Sequence, residues 1–382
     1  MRTTHISAAL LRGAGQLMSI ESTSPALTGF SLGRLFQPLI GPVVAIVIAV
    51  IVGGVLVALL GENPVEVYWT LINGSLVGWP NLSVALQMTT PLIFTGLAVA
   101  VSFRAGLWNI GAEGQMLVGA LFAGVVGYAV DLPTWLHIPA CLVAAMVGGA
   151  LWALVPALLR VYLNVNELVV CLMMNPIALL STGYVATRVL KAPGPTNKLP
   201  DIADTAMLPN FSLFSQLNAG IFIALTCCAL VYFLNVATVR GFEWKIIGLN
   251  PRFAYYGGVN VKRNAIAVMA VSGAIAGLGG AEQVMGVYKA FYDNFSPGYG
   301  FDGIAVAMLA NSSPLGVILA AFLFGALNAG SAVLQMMTGV SKYLVQVLQF
   351  IIVLILAAQF SWAWIRRRRA PSAPGAPVGG TV

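Results

Sequence analysis

Charged side chains are scarce in this sequence. Asp, Glu, Lys and Arg together make up 8% of the 382 residues, while 59% are hydrophobic. An ordinary soluble domain carries about 25% charged residues. A soluble chain of this length could not cover its surface with so few polar side chains, so the composition indicates that lipid surrounds most of the protein. The 41 glycines agree, because small residues let transmembrane helices approach closely.

Several chemical signatures are also missing. The sequence contains no Gly-Lys dipeptide, so it lacks a phosphate-binding loop of the GxxxxGKS/T type. No paired His or intramembrane Ser/His/Asp set indicates a membrane-embedded enzyme. The net charge is +7, but the basic residues form no stripe with interleaved aromatics, which argues against a nucleic-acid partner.

Metal sites and other cofactors are not expected either. The four cysteines lie inside apolar runs without a CxxC pair, and neither of the two histidines has a ligand set nearby. We interpret the cysteines as apolar packing residues. They are Cys141, Cys171, Cys227 and Cys228.

Uncharged apolar runs recur along the chain, and a helix needs roughly 20 such residues to cross about 30 Å of hydrocarbon. The run from Val67 to Phe103 holds an interfacial part and then a span, and the run from Gly303 to Ser341 is broken at Asn311. The predicted segments are 39–60, 82–102, 112–130, 138–159, 168–188, 217–236, 264–286, a short one at 301–311, 315–337 and 342–361. The sequence therefore predicts an all-α membrane protein, a polytopic bundle of nine or ten transmembrane helices with at least one broken or short helix.

Basic residues favour ten crossings. They precede the first span, crowd the loop 237–263 and follow the last span as Arg366 to Arg369. The positive-inside rule places such clusters in the cytoplasm, and all of them share one side only if the number of crossings is even. We therefore expect both termini to be cytoplasmic, with a leader at 1–34, a transmembrane domain at 35–365 and a tail at 366–382. The tail is basic and then rich in Pro, Gly and Ala, which is typical of disorder.

Residues 103–115 interrupt the apolar sequence with polar side chains and three glycines. Such an interruption is typical of a discontinuous helix whose ends expose backbone dipoles toward a cavity. A buried Glu113 would cost a few kcal/mol unless it is paired or hydrated. The alternative is a structural kink in which Asn109 and Glu113 bond to neighbouring backbone.

A second polar group lies at 164–176. Asn166 has the character of a helix cap, and Glu167 would then occupy the favoured first turn. Asn175 stands before Pro176 within an apolar run, which predicts a kink. These residues either shape the helix or line a pathway.

The loop 237–263 carries five basic residues, and glycines and Pro251 divide it into two short helical pieces. We call it the basic loop. From its spacing alone, it is either a solvated anchor for the helices or a docking element for a cytoplasmic partner.

Four motifs carry a resemblance to a known family. The run 109–115, Asn-Ile-Gly-Ala-Glu-Gly-Gln, resembles a motif of permease subunits in ABC importers of the branched-chain amino acid, simple-sugar and nucleoside group. Residues 248–259 resemble the cytoplasmic coupling segment of that group, 272–280 the following span, and 302–316 its late block. The similarity extends from about 40 to 360. The nucleoside and simple-sugar branch fits best, although Cys171, Pro176, Phe253 and Tyr255-Tyr256 depart from its pattern.

The resemblance implies a permease subunit without enzymatic activity in the bacterial cytoplasmic membrane. It also implies three partners besides the lipid bilayer: an ABC ATPase subunit, a second identical or homologous permease, and an extracytoplasmic substrate-binding protein. The candidate pathway residues are Trp108, Asn109, Glu113, Gln115, Asn166, Glu167, Asn175 and Asp302. The candidate ATPase-coupling residues are Gly248, Asn250, Pro251, Arg252, Ala254 and Gly257.

Other functions stay open at this point. The solute could be a branched-chain amino acid or another small molecule carried by an ABC permease. The chain could instead be an ion-coupled secondary transporter that uses Glu113, Glu167 or Asp302 as coupling carboxylates.

Overall fold

Helices form most of the described part of the chain, with longer connections at 190–219, which holds a 3-10 turn at Asp204–Ala206, and at 289–298. The computed structural model describes residues 47–48, 50–59, 61–338, 343–347, 349–351 and 354. The leader at 1–34, the tail at 366–382 and much of the predicted first and last spans lie outside these residues, so those predictions stand as they were.

Helices α1 to α6 follow one another from the N-terminal side. Their bounds are Val50–Leu59 (α1), Pro64–Leu76 (α2), Trp79–Arg104 (α3), Ala112–Ala129 (α4), Thr134–Leu163 (α5) and Glu167–Tyr184 (α6), which a π-helical turn at Val185–Val189 extends. The later helices are Gly220–Ala237 (α7), Val239–Leu249 (α8), Pro251–Tyr256 (α9), Val261–Glu282 (α10) with a π-helical extension at Gln283–Tyr288, Tyr299–Leu309 (α11) and Pro314–Thr338 (α12).

Within the described residues, seven helices are long and apolar enough to cross a membrane, namely α3, α4, α5, α6, α7, α10 and α12. Each coincides with a predicted span to within a few residues. The predicted short segment is also present as α11, and the break after it contains Asn311 and Ser312, both with left-handed backbone. The prediction of a multi-pass helical bundle is thus confirmed. The choice between nine and ten crossings stays a prediction, because α1 and the last span are only partly described.

Glycines bring the helices at the centre of the bundle into direct backbone contact. Helix α10 packs most extensively against α5 and α4, and also against α3. A Cβ on Gly277 would overlap the carbonyl oxygen of Ala145, and one on Gly273 would overlap the carbonyl oxygen of Gly149. Such small-residue crossings are the usual means by which helices associate in lipid, where apolar bulk alone gives no preference between neighbours.

The basic loop folds into two short helices, α8 and α9, as its sequence predicts. Asn250 ends α8 and caps α9, since its side-chain oxygen accepts from the backbone N–H groups of Arg252 and Phe253, both at 3.1 Å. Buried Trp244 fixes α8 to α10, because its indole N–H donates to Oδ1 of Asn264 at 3.0 Å. The loop is therefore an ordered element attached to the bundle.

Candidate functional site

The polar interruption at 103–115 is a turn between two helices. Helix α3 ends at Arg104, and the non-helical connection Ala105–Gly111 leads into α4. We call this stretch the α3–α4 connection. It reverses the chain at Gly106, whose φ of +73° lies in the left-handed region.

Asn109 in this connection is completely buried and fully hydrogen-bonded. Its Nδ2 donates to Oε1 of Gln115 at 2.8 Å and to Oγ of Ser272 at 2.7 Å. Its Oδ1 accepts from Nε2 of Gln115 and from the backbone N–H of Gly111. Ser272 in turn donates to the carbonyl oxygen of Ala98, so this set joins the connection to both α10 and α3. Because buried amides must be paired, these contacts hold the connection in one conformation.

Glu113 in the first turn of α4 bonds to a distant part of the chain. Its side chain is buried, and its Oε2 accepts the backbone N–H of Gly300 at 2.6 Å. Gly300 lies in the first turn of α11, where the N-cap Gly298 offers no side chain. The carboxylate thus interacts favourably with the N-terminal ends of two helices at once. A Cβ on Gly300 would overlap the backbone nitrogen of Glu113, so glycine is required for this close approach.

Asn175 joins the second polar group to the first. Its Oδ1 accepts from the backbone N–H of Gly114 at 3.0 Å, and its Nδ2 donates to the carbonyl oxygen of Ile110 at 3.0 Å. The side chain is buried in α6 and satisfies two backbone groups at the start of α4. Asn109, Glu113, Gln115, Asn175 and Ser272 therefore form one group, which we call the polar cluster.

Three further candidates, Glu167, Trp108 and Asn166, lie in or before the first turn of α6 or in the α3–α4 connection. Glu167 is buried and its Oε2 is 2.7 Å from Nη1 of Arg160, which is the ion pair that its burial requires. The backbone N–H of Trp108 is 3.5 Å from Oε1 of Glu167, while the indole is about half exposed and packs against Phe103. Asn166 is exposed and accepts from the N–H of Leu168 at 3.0 Å, which confirms its prediction as a helix cap.

Asp302 lies in the first turn of α11, two residues beyond Gly300. Its Oδ2 accepts from Nδ2 of Asn328 on α12 at 3.4 Å, and Asn328 also accepts from Gln349 at 2.9 Å. The carboxylate therefore connects α11 to α12 rather than to the polar cluster. All the pathway candidates thus surround the N-terminal ends of α4, α6 and α11.

Sequence reasoning missed two members of this arrangement and one further buried carboxylate. Ser272 lies in the motif 272–280 and Gly300 just before the block 302–316, but their hydrogen-bond partners are 174 and 187 residues away in the chain. The further carboxylate is Glu282 on α10, which accepts from Asn218 at 2.9 Å and from Gln283 at 2.7 Å. A lone carboxylate within the apolar run 264–286 is the signal that could have revealed it.

The coupling candidates form an exposed surface on the basic loop, with the exception of buried Ala254. A groove along α9 has a volume of about 950 Å³ and is lined by Arg252, Tyr255 and Tyr256 among others. Tyr255 and Tyr256 are 70% and 86% exposed, so large aromatic surface is open to a partner here.

Gly248 connects this surface to the α3–α4 connection. A Cβ on Gly248 would overlap the carbonyl oxygen of Arg104, and one on Gly106 would lie 3.2 Å from Cα of Gly248. Arg104 itself donates from Nη2 to the carbonyl oxygen of Asn235 at 3.2 Å. The basic loop and the chain entering the polar cluster are therefore in direct backbone contact.

Nothing in the described part of the chain forms a group of three or more His, Cys, Asp or Glu able to hold a metal ion. The four cysteines are buried and unpaired, in agreement with their interpretation as packing residues.

Comparisons with known proteins agree on one family. The family model described as "Branched-chain amino acid transport system / permease component" matches residues 81–357. The guanosine ABC transporter permease protein NupP of Bacillus subtilis is 36% identical over 327 residues, covering 85% of this chain and 94% of the relative. The glucose ABC transporter permease protein TsgB13 of Haloferax volcanii is 33% identical over 357 residues, covering 89% and 93%. The nucleoside ABC transporter permease protein NupB of Lactococcus lactis subsp. cremoris is 31% identical over 339 residues, covering 84% and 90%.

Proposed function

We infer that this chain, which belongs to the family of branched-chain amino acid transport system permease components, is the membrane-spanning subunit of an ATP-driven importer for a nucleoside or simple sugar. The named solutes of its relatives, guanosine, nucleosides and glucose, support this choice. ATP hydrolysis then belongs to a separate subunit, a second permease completes the pathway, and an extracytoplasmic protein delivers the solute. Both termini and the basic loop face the cytoplasm, as the positive-inside rule favours.

The observation that carries this proposal is the backbone contact between Gly248 and Arg104. A partner bound to the exposed surface of α9 would move α8, and α8 abuts the α3–α4 connection that leads into the polar cluster. Closure of an ATPase dimer beneath the bundle would thereby reach the helix ends that Asn109 and Glu113 hold. Alternating access then follows from rigid movement of helix groups around a site at membrane depth.

The polar cluster fits a neutral solute better than an ion. It contributes amides from Asn109, Gln115 and Asn175, while the carboxylates of Glu113 and Glu167 already have a backbone or Arg160 partner. A nucleoside or sugar needs hydrogen bonds more than ion pairs. In this conformation the amides are buried, so solute contact requires that the helices around α4 separate.

Uptake in cells that depend on this permease tests the proposal. Labelled guanosine, uridine, ribose, glucose and leucine are offered to the parent strain, to a strain lacking the chain, and to that strain after complementation. We expect complemented uptake of a nucleoside or sugar that survives an uncoupler while ATP is maintained and stops when ATP is depleted. Uptake that follows the ion gradient instead would establish a secondary transporter, and uptake of leucine alone would assign the amino acid branch.

A further inference from the structure

A second groove lies at the end of the bundle that carries the basic loop. A groove of about 470 Å³ opens between the last turn of α5 and the first turn of α10. Its walls combine cationic, aromatic and apolar side chains. They are Tyr162, Asn260, Lys262, Arg263, Ile266 and Ala267.

The cations in this groove have no carboxylate partner among the described residues. The ion pairs among the described residues join Arg160 to Glu167 and Lys198 to Asp201, and neither pair involves Lys262 or Arg263. Both side chains are exposed, and both belong to the first turn of α10, whose cap Asn260 accepts from the N–H of Arg263 at 2.9 Å. The positive end of the helix dipole adds to the two side-chain charges, so the groove favours an anion.

Apolar surface leads away from the charged groove along α5. Leu151, Val155, Leu158 and Tyr162 recur at helical spacing on one face, and they are 52%, 39%, 42% and 67% exposed. On α10, half-buried Ile266 and Ala267 add apolar surface to the lining of the groove. A free phosphate ion would use only the cations, whereas a ligand with acyl chains would also cover this face.

We propose that the groove binds the headgroup of an anionic glycerophospholipid, with its phosphate between Lys262 and Arg263 and an acyl chain along the exposed face of α5. Basic pockets between transmembrane helices at a membrane surface are suited to such headgroups. Tyr162 is the next-to-last residue of α5, and aromatic side chains at the ends of membrane-spanning helices favour the interface. The Lys262 ammonium can extend to the phosphate while its stem covers apolar surface. The site requires that the bundle spans a bilayer but is independent of the transported solute.

The site also differs from the surface proposed for the ATPase. Lys262 and Asn260 border both grooves, but Tyr162 and Arg263 line only the groove at α5, and the exposed tyrosines of α9 line only the other. The two surfaces can therefore be separated by substitution.

Lipid binding to the purified full-length chain tests this proposal without any transport assay. Native mass spectrometry of protein in a mild detergent, titrated with phosphatidylglycerol and phosphatidylcholine of equal chain length, gives the apparent affinities. We expect the unmodified chain to prefer phosphatidylglycerol. In the double variant Lys262→Gln and Arg263→Gln, we expect phosphatidylglycerol to bind about 30-fold more weakly, as the loss of two cations near a membrane surface implies.

The matched control is the double variant Arg240→Gln and Lys245→Gln. It also removes one arginine and one lysine, but from exposed positions on α8 that do not line the groove. We expect its affinity for phosphatidylglycerol to equal that of the unmodified chain. Equal losses in both double variants would mean that net charge alone attracts the lipid, and this would overturn the proposal.

Two further arms identify the source of the anion and the integrity of the variants. Millimolar inorganic phosphate should leave bound phosphatidylglycerol in place, because phosphate cannot cover the face of α5. Displacement of the lipid by phosphate would overturn the assignment to a lipid. Size-exclusion profiles should match for the unmodified chain and both double variants, since the substituted side chains are exposed.

The single variant Arg263→Gln leaves the α9 groove intact. It should show part of the loss in phosphatidylglycerol affinity that the double variant Lys262→Gln and Arg263→Gln shows.

Discussion

The contact between Gly248 and the α3–α4 connection leads to a sharp prediction for Gly248→Ala. A Cβ there would overlap the carbonyl oxygen of Arg104 and lie 3.2 Å from the carbonyl carbon of Ala105. Because the obstacle is backbone, no rotamer change relieves it. Overpacking of this kind costs about 1–3 kcal/mol, and alanine in place of glycine returns about 1 kcal/mol of helix propensity. We therefore expect a net loss of about 0–2 kcal/mol in unfolding free energy, which lets the chain fold and insert.

The effect on transport should persist in chains that fold and insert normally. Forcing α8 away from Arg104 weakens the link between the basic loop and the polar cluster, and coupling between sites is typically worth about 1–3 kcal/mol. We expect uptake, measured at equal abundance in the membrane, to fall roughly tenfold. ATPase activity of the assembled importer should then become less dependent on solute.

Gly54→Ala in α1 supplies the matched control. A Cβ on Gly54 would lie 3.7 Å from Cε2 of Tyr68 and 3.8 Å from Cβ of Pro64, which is ordinary contact. This variant should transport at the unmodified rate. Normal uptake by Gly248→Ala at normal abundance would refute the reasoning, and equal impairment of both variants would show that any added methyl group has this effect.

Three other predictions follow from the polar cluster and the cysteines. Asn175→Ala leaves the N–H of Gly114 and the carbonyl of Ile110 unpaired at a cost of about 1–3 kcal/mol each, whereas Asn166→Ala removes an exposed cap worth about 1 kcal/mol. Thermal unfolding in detergent should therefore show a larger loss of stability for Asn175→Ala than for Asn166→Ala. The reverse order would contradict the assignment. Glu113→Ala removes a hydrogen bond to a charged acceptor worth about 1.5–3 kcal/mol, so amide exchange at Gly300 should accelerate relative to that in α5, and unchanged exchange would argue against the contact. A membrane-permeant maleimide should label the four buried cysteines only after denaturation, and rapid labelling of the folded chain would contradict their packing role.

Hydropathy was sufficient to predict the helices but not their partners. The spans α3 to α7, α10 and α12 follow from apolar run length, because the bilayer fixes how many residues a crossing needs. The caps at Asn166 and Asn250 are local, so they too can be inferred from neighbouring residues. The basic loop divides at Pro251 for the same reason.

Contacts between distant helices require information that hydropathy does not contain. Lipid solvates every apolar face equally well, so helix pairing depends on close fit at small residues such as Gly273 and Gly277. The bond between Glu113 and Gly300 spans 187 residues. The sequence could identify Glu113 as a costly buried charge, but only the fold identifies the backbone N–H that stabilises it.

The crossing of α5 and α10 restricts how an importer of this kind can move. Where main chains touch at Gly149, Gly273 and Gly277, no side chains lie between them that could repack into a second arrangement. These two helices must therefore move together as one rigid body. Spin labels placed on α5 and α10, one on each side of that crossing, would keep a constant separation through the transport cycle. The relative movement that alternating access requires would then occur between other pairs of helices.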